Sequence, residues 1–543
     1  MDDEFSTNAT IPTPPTPPKA PIWAHLFMLE KFDRFCGTGE AATPHTSGLV
    51  FTPISSIPEA ERPPYQQMKE AADAIALICA TGVDANHVSA CAIERNAGSK
   101  SDSPLTYTVR ISKNGALTSH GVESLAKLLD ETAATIRAFD LTTVASQRTA
   151  VLHATPALLE KVVTRCHQKI QDSVVSGGMN GGRAALSRWA AEQEETEHKN
   201  EYNQLLLIVC RPSAPTGGDE GKETPKKRRK GKEDLEGVRI DSEKTREAEE
   251  KESSSKIVSA HLLEKKYASE VKTMPPEAQL YLAKLSRYLN ASKNLAWSMV
   301  YLGTQESKAA IVGVEPLPIL PGVRSPEDDD EPPDLESYLK QEFDVALSAL
   351  HPDKYGSARD TWSGARTDRK PFFHAELQLA IFYTLNPDCL PMGSYLGVSK
   401  RCCALCDFVL KYVLALIRIS IRGLQRTDHP FIEASAGPAI LISIHGKHGG
   451  LTQNWCFPDL DKFPSSLPPL RRAQLATPLS LIRDELSQFL KARVSRMLPF
   501  LVDAPADRRS SESDRIPAHS EDSDAEQDNE EYTFLNAHYQ LAV

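Results

Sequence analysis

The sequence predicts a mixed α/β fold, on three observations. An amphipathic run at Tyr65–Thr81 precedes two strand-like runs, His87–Ile93 and Leu105–Ile111. A compact segment at 371–460 then passes through helix, strand and helix patterns. Between them, apolar residues recur at three-to-four spacing, the period of helices rather than strands.

Taken in order, residues 1–21 are acidic and proline-rich, which fits a disordered or polyproline lead and not a basic-then-apolar signal peptide. Residues 22–116 hold the first helix and the two strands. Ala71, Ala72, Ile75, Ala76, Ile78 and Cys79 give the helix one apolar side. The second strand alternates as Leu-Thr-Tyr-Thr-Val-Arg-Ile, and Lys113-Asn114-Gly115 supplies a turn after it. Residues 117–365 read as a large, mostly helical insertion. Within it, 212–256 is a charged low-complexity stretch expected as a disordered loop or marginal helix, and 315–334 is a Pro/Asp-rich linker before a helix at Leu335–Leu350.

Residues 366–500 carry the densest signals. Leu377, Ala380, Ile381 and Leu385 sit at core spacing in a helix over Phe373–Leu385, stopped by Asn386-Pro387. A short strand at Tyr395–Ser399, a second helix from Cys403 to about Ile419, a strand at Ala439–Ile444 and a closing helix at Leu479–Leu498 follow. Residues 501–543 form an acidic tail, expected to be disordered.

A hydrophobic content of 40% supports a sizeable core, while 38 prolines and 25% charged residues leave part of the chain outside it. The net charge of −11 argues against a protein that coats itself with nucleic acid, yet it permits a local basic channel. No basic patch interleaved with aromatics marks such a path. The most apolar stretch, Phe408–Ile421, carries Lys411 and Arg418 and falls short of the roughly 20 residues a spanning helix needs. No membrane is therefore expected, and the chain reads as intracellular. The run Lys226–Lys230 reads as a nuclear import signal or phosphate-binding patch, against the plainer reading of a loop balanced by flanking acids.

Ten cysteines in such a chain point to burial, metal or reactivity before disulfides. Cys36, Cys79, Cys91, Cys166, Cys210 and Cys456 are scattered and read as buried small residues, whereas Cys389, Cys402, Cys403 and Cys406 fall together. Cys403 and Cys406, opening a helix at i and i+3, point to one side where free N–H groups stabilise thiolates. His374 lies 29 residues upstream, with Glu376 two positions beyond it. His374, Cys403 and Cys406 thus supply the three ligands of a catalytic Zn2+ with one position open to water, and Glu376 is placed to carry protons without binding the metal. Such a zinc lowers the pKa of its water from about 16 to about 7. Two other readings stay open: a redox dithiol, and a closed structural zinc whose fourth ligand is Cys402, Cys389, His445 or His448.

The stretch HAELQLAIFYTLNPDCLPMGSYLGVSKRCCALCDFVL resembles the OTT_1508-like deaminase family, predicted nucleic-acid deaminases expanded in fungi. The matching residues are His374, Ala375, Glu376, Tyr395–Lys400, Cys403 and Cys406. Gly446-Lys447-His448-Gly449, Trp455 and Pro458 look like the family's closing strand and turn. The resemblance implies a cytidine-deaminase-like three-layer α/β/α core, split here by the helical insertion. It implies zinc-dependent conversion of a cytosine or adenine base, in nucleic acid or as a nucleoside, with Glu376 as proton shuttle. It also implies substrate contact by an Asn near the end of the second strand, which is Asn114; by its residues alone, Asn114-Gly115 is first of all a turn. Cys402 stands where the family pattern has proline, and Val413–Gly423 lengthens the stretch after Cys406. The alternative is an inactive zinc-stapled scaffold whose helical insertion binds a protein partner.

Overall fold

A computed structural model describes residues 22, 24–29, 62–82, 87–96, 106–115, 117–174, 181–192, 200–210, 234–305, 310–317, 334–350, 359–360, 362–363, 373–386, 389, 391–392, 395–400, 402–406, 408–410, 443–444, 455–456 and 469–502. Helix α1 (Arg62–Cys79) leads into strands β1 (Ser89–Asn96) and β2 (Thr106–Lys113). Four helices follow, α2 (Ser119–Arg137), α3 (Val144–Val174), α4 (Gly182–Glu192) and α5 (Asn200–Cys210), then α6 (Asp234–Lys266), the short α7 (Ala268–Val271) and α8 (Pro276–Gln305). Strand β3 (Ala310–Pro316) and helix α9 (Leu335–Phe343) precede α10 (Ala375–Leu385), β4 (Tyr395–Val398), β5 (Ser443–Ile444) and α11 (Pro469–Val502).

The strands make one five-stranded sheet in the order β3-β2-β1-β4-β5. β1 runs antiparallel to both neighbours, β2 and β4, while β2–β3 and β4–β5 pair in parallel. Alternation along the strands separates two cores, because successive side chains leave opposite faces. Cys91, Ile93, Tyr107, Val109 and Ile111 face α1 and the helices of 119–305. Ala90, Ala92, Leu396 and Val398 face α10 and α11. Helices therefore cover both faces, as a mixed sheet buried on each side requires.

Gly397 in β4 lets α1 approach the sheet closely. At Gly397 a Cβ would overlap the backbone of Ala72 and Asp73 in α1. The contact is fastened by Asp73, whose carboxylate accepts from the Tyr395 hydroxyl at 2.8 and 2.9 Å and from the Val398 N–H at 3.2 Å.

The helices inserted between β2 and α10 share a core with α1 and the sheet. Leu125, Leu159, Val162, Leu282 and Leu295 belong to the same buried cluster as Ile75 and Ile78. The structure bears on two expectations here. Of the stretch 212–256, expected as a disordered loop or marginal helix, residues 234–256 form the first part of α6. Within 249–256, Thr164 Oγ1 donates to Glu250 at 2.8 Å, His167 meets Glu249 at 3.3 Å, and Lys256 pairs with Glu252 at 2.7 Å. Tertiary partners on α3 thus turn a segment without its own apolar face into a docked helix. Residues 315–316, expected to open a proline-rich linker, instead end β3, an edge strand on β2. The expected helix at Leu335–Leu350 stops at Phe343, where Asp344 takes a left-handed φ of 55° that ends the helix, and a 3-10 turn follows at Leu347–Ala349.

Helix α11 is longer than its apolar pattern predicts, and of the expected helix after Cys403 only 404–406 and 408–410 are described. The lead at 1–21, the run Lys226–Lys230, residues 439–442, the stretch Val413–Gly423, the loop at 446–449 and the tail beyond 502 lie outside the described residues. Among the described residues no helix is long and apolar enough to cross a membrane.

Substituting Gly397→Ala forces the new methyl group into rigid backbone. We expect destabilisation of about 3 kcal/mol or more, read as a fall in the midpoint of denaturant unfolding.

Candidate metal centre

The centre is assembled where β2 ends and α10 begins. His374 occupies the N-cap of α10 in extended conformation, and its carbonyl accepts the first helical bonds from Leu377 and Gln378, each at 3.1 Å. Its side chain does not cap the helix. Asn114 reaches across from β2, and its Oδ1 accepts from the Ala375 N–H at 2.7 Å. The imidazole is thereby left for other work. Gln378, one turn on, donates to the Phe373 and Lys113 carbonyls at 2.7 and 3.3 Å and accepts from Ser112 Oγ at 2.9 Å. These bonds register the start of α10 against the end of β2.

Strand β4 delivers the cysteines. Beyond it, Ser399 is tied to Ser89 at the start of β1 by two bonds of 2.9 Å, so the chain enters the 402–406 turn from a fixed point. His374 Nδ1 lies 3.6 Å from Cys403 Sγ, 3.2 Å from Cys406 Sγ and 3.7 Å from Glu376 Oε1. The Cys406 N–H donates to Cys403 Sγ at 3.4 Å, and Trp455 Nε1 donates to Cys406 Sγ at 3.3 Å. All of these residues are buried.

The ligand atoms of His374, Cys403 and Cys406 lie within 4.8 Å of one another, so the three can hold a metal ion. A tetrahedral ion about 2.0 Å from nitrogen and about 2.3 Å from sulfur would separate those atoms by about 3.5 Å, which matches the observed pair of distances. A second group, Glu376, Cys402 and Cys406, meets the same proximity. Cys402, from the sequence one candidate fourth ligand of a closed site, thus belongs to the centre's immediate surroundings, while Cys389 joins neither group.

Burial alone would lower the His374 imidazole, but the Cys403 thiolate and the Glu376 carboxylate overcome it and hold the ring at about 10. Cys403 is opposed by burial too, yet the hydrogen bond with Cys406 and the charge on His374 hold its thiol well below the ordinary range. Burial, then Cys402 and Cys403, push Cys406 up. Glu376, despite burial, is held down by His374. The His374 imidazolium thus offsets part of the negative charge of the Cys403 thiolate and the Glu376 carboxylate.

Asn114 is buried and directed at the helix start, more than the turn its Asn-Gly pair suggests. Gln378, Ser112 and Trp455 were missed as site residues. The available signal for Gln378 was a polar side chain among Leu377, Ala380 and Ile381 on an otherwise apolar helix.

Replacing Asn114 by Ala leaves the Ala375 N–H without its acceptor. We expect a loss of about 1 to 2 kcal/mol in chemical denaturation, largely restored by Asn114→Asp. Metal uptake must displace the protons held by His374 and Cys406. Affinity of the stripped protein for a divalent ion should therefore rise with pH from 6 to 9, and the His374 contribution should level off only near its value of about 10. Competition with a chromophoric chelator measures it; a flat profile would contradict the assignment of protons.

Comparison with known families bears on the same segment. The model of the OTT_1508-like deaminase family matches residues 373–459, which span α10, β4, the cysteine turn, β5 and Trp455. Neither the curated proteins nor the solved structures yield a match. Residues 373–459, which hold every ligand of the candidate metal centre, are thus similar to the OTT_1508-like deaminase family.

Proposed function

We propose that the chain is a zinc-dependent deaminase that converts a cytosine or adenine base, in a nucleic acid or as a nucleoside. One observation carries the reading: within the segment that matches a deaminase family, His374, Cys403 and Cys406 converge with Glu376 beside them. The sheet supports it. The portion β2-β1-β4-β5, with α1 on one face and α10 on the other, is read as the cytidine-deaminase-like core, and β3 as an edge strand added by the insertion.

Zinc at this centre supplies a Lewis acid that makes water nucleophilic at neutral pH. The chain's own residues do the rest. The imidazole of His374 and the thiolates of Cys403 and Cys406 would hold the ion. Trp455 and the Cys406 N–H donate to the two sulfurs and so fix their direction. Glu376, ionised and on the first turn of α10, accepts a proton from water and returns protons to the ring nitrogen and to the departing amine. One water is consumed, the exocyclic C–N bond breaks, a C–O bond forms and ammonia leaves. Asn114, beside the same helix start, is read as a substrate contact.

The second group of donors favours a different reading. Were an ion held by Glu376, Cys402 and Cys406, the carboxylate would be a ligand and could carry no proton, and the protein would be a metal-stapled scaffold whose insertion engages a partner. One variant separates the two. Under the deaminase reading, Glu376→Gln keeps about one zinc per chain by elemental analysis and loses turnover by a factor of about 1,000 or more on single-stranded DNA, RNA or nucleosides. Loss of zinc from that variant, or turnover retained in it, would sink the mechanism.

A further inference from the structure

Beside the metal centre, four cations from four elements converge on one place. Lys113 ends β2, Lys400 follows β4, Lys169 lies in the last turns of α3, and Arg287 in the middle of α8. Hydrogen bonds of their chain neighbours place Lys169, Lys400 and Lys113 near the C-terminal end of α1, and Arg287 acts on Lys169 from α8. On the α3 side, Arg165 Nε donates to the Ile78 carbonyl at 3.2 Å and Cys166 Sγ lies 3.7 Å from it. On the sheet side, Ser89 Oγ donates to the Ala76 carbonyl at 2.6 Å and its N–H donates to Ser399 Oγ at 2.9 Å. The Asn114 N–H, next to Lys113, donates to the Val88 carbonyl at 2.9 Å, while its side chain holds the start of α10.

Lys169 is 3% exposed and makes no hydrogen bond or ion pair among the described residues. The strongest charges that reach it are those of Arg287, the Cys166 thiol, Lys400 and Lys113. Burial, followed by these cations, lowers its ammonium to about 7. Nearby, Arg287 Nε is buried without a hydrogen-bond partner. A buried cation facing further cations is costly in the free protein, and folding gives no reason to keep it. It becomes favourable when an anion supplies the missing charge. The chain is acidic overall, at −11, so this concentration is local and no sample of a generally basic surface.

We infer that Lys169 and Arg287, with Lys113 and Lys400 at the rim, bind a phosphate group attached to the base on which the metal centre acts. The substrate is then a phosphate ester, either a mononucleotide or a strand, and a free nucleoside is a poor one. The helical insertion has a task in this arrangement: α3 and α8 supply the two cations that the sheet does not. Only the attachment of phosphate to a base rests on the deaminase reading. The anion site stands on the cations themselves.

The test uses the full chain carrying Glu376→Gln, so that bound substrate is not consumed. Affinities are measured calorimetrically at matched ionic strength for inorganic phosphate, nucleoside 5′-monophosphates, short single-stranded oligonucleotides and unphosphorylated nucleosides. Phosphate-bearing ligands should bind about tenfold or more tightly than nucleosides, and Lys169→Met and Arg287→Gln should each erase about tenfold of that advantage. With no ligand, Lys169→Met should unfold at the same or a higher temperature, because an uncompensated buried charge has gone. A lower unfolding temperature would make Lys169 structural and overturn the inference, as would unchanged phosphate affinity in both variants. Nucleotides that bind no tighter than inorganic phosphate would overturn the placement beside the base. A higher affinity for oligonucleotides than for mononucleotides identifies a strand as the source of the phosphate, and the reverse identifies a mononucleotide. If wild-type protein converts no base while the Lys169-dependent phosphate affinity holds, the activity reading fails and the anion site stands.

Discussion

The hydrogen bond from the Ala375 N–H to Asn114 Oδ1 joins residues 261 positions apart, and the geometry of the centre depends on it. A helix start leaves N–H groups without intrahelical partners, and a side chain must take them or water must. Because Asn114 takes this one, His374 occupies the N-cap with its ring free to turn toward the thiols. The Gln378 bonds to Ser112, Lys113 and Phe373 add a second point of attachment one turn further along. Two points fix both the position and the rotation of α10. The ring of His374 and the carboxylate of Glu376 are aimed by that rotation.

The cysteines arrive by an independent route with its own constraint. Gly397 lets β4 lie directly on α1, and Asp73 holds Tyr395 and the Val398 N–H there. Since β1 pairs with both β2 and β4, the two halves of the centre share one reference strand. A buried set of four titratable groups is costly unless its charges are balanced. In this protein His374 balances Cys403 and Glu376, and the balance places ligands and carboxylate within 4 Å of the same ring nitrogen. Second contacts from Trp455 and the Cys406 N–H then set the direction of the sulfurs.

The insertion is part of this construction and no appendage to it. Its helices bury Leu125, Leu159, Val162 and Leu282 in the cluster that also holds Ile75 and Ile78 of α1, so the face of the sheet opposite α10 is completed by it. The same helices bring Lys169 and Arg287 to the end of the sheet where the centre lies. A fold that needs an insertion to close its core can also use that insertion to shape the approach to its site.

Much was legible in the sequence, and the physical reason is local. The first helix, the first two strands, the helix after His374 and the strand at Tyr395 follow from periodicity and from stop signals such as Asn386-Pro387, which act over a few residues. The ligand set was legible for a similar reason: His374, Glu376, Cys403 and Cys406 stand at spacings set by one helix start and one cysteine turn. What tertiary structure alone decided depends on partners distant in the chain. Glu249 and Glu250 dock their helix because α3 offers them His167 and Thr164, and residues 310–316 become a strand because β2 has an open edge. Asn114 passes from a turn residue to the anchor of the metal-bearing helix because α10 comes to rest above it. Lys169, an ordinary lysine in a helical pattern, acquires its character from burial first and then from three cations, and only folding supplies either.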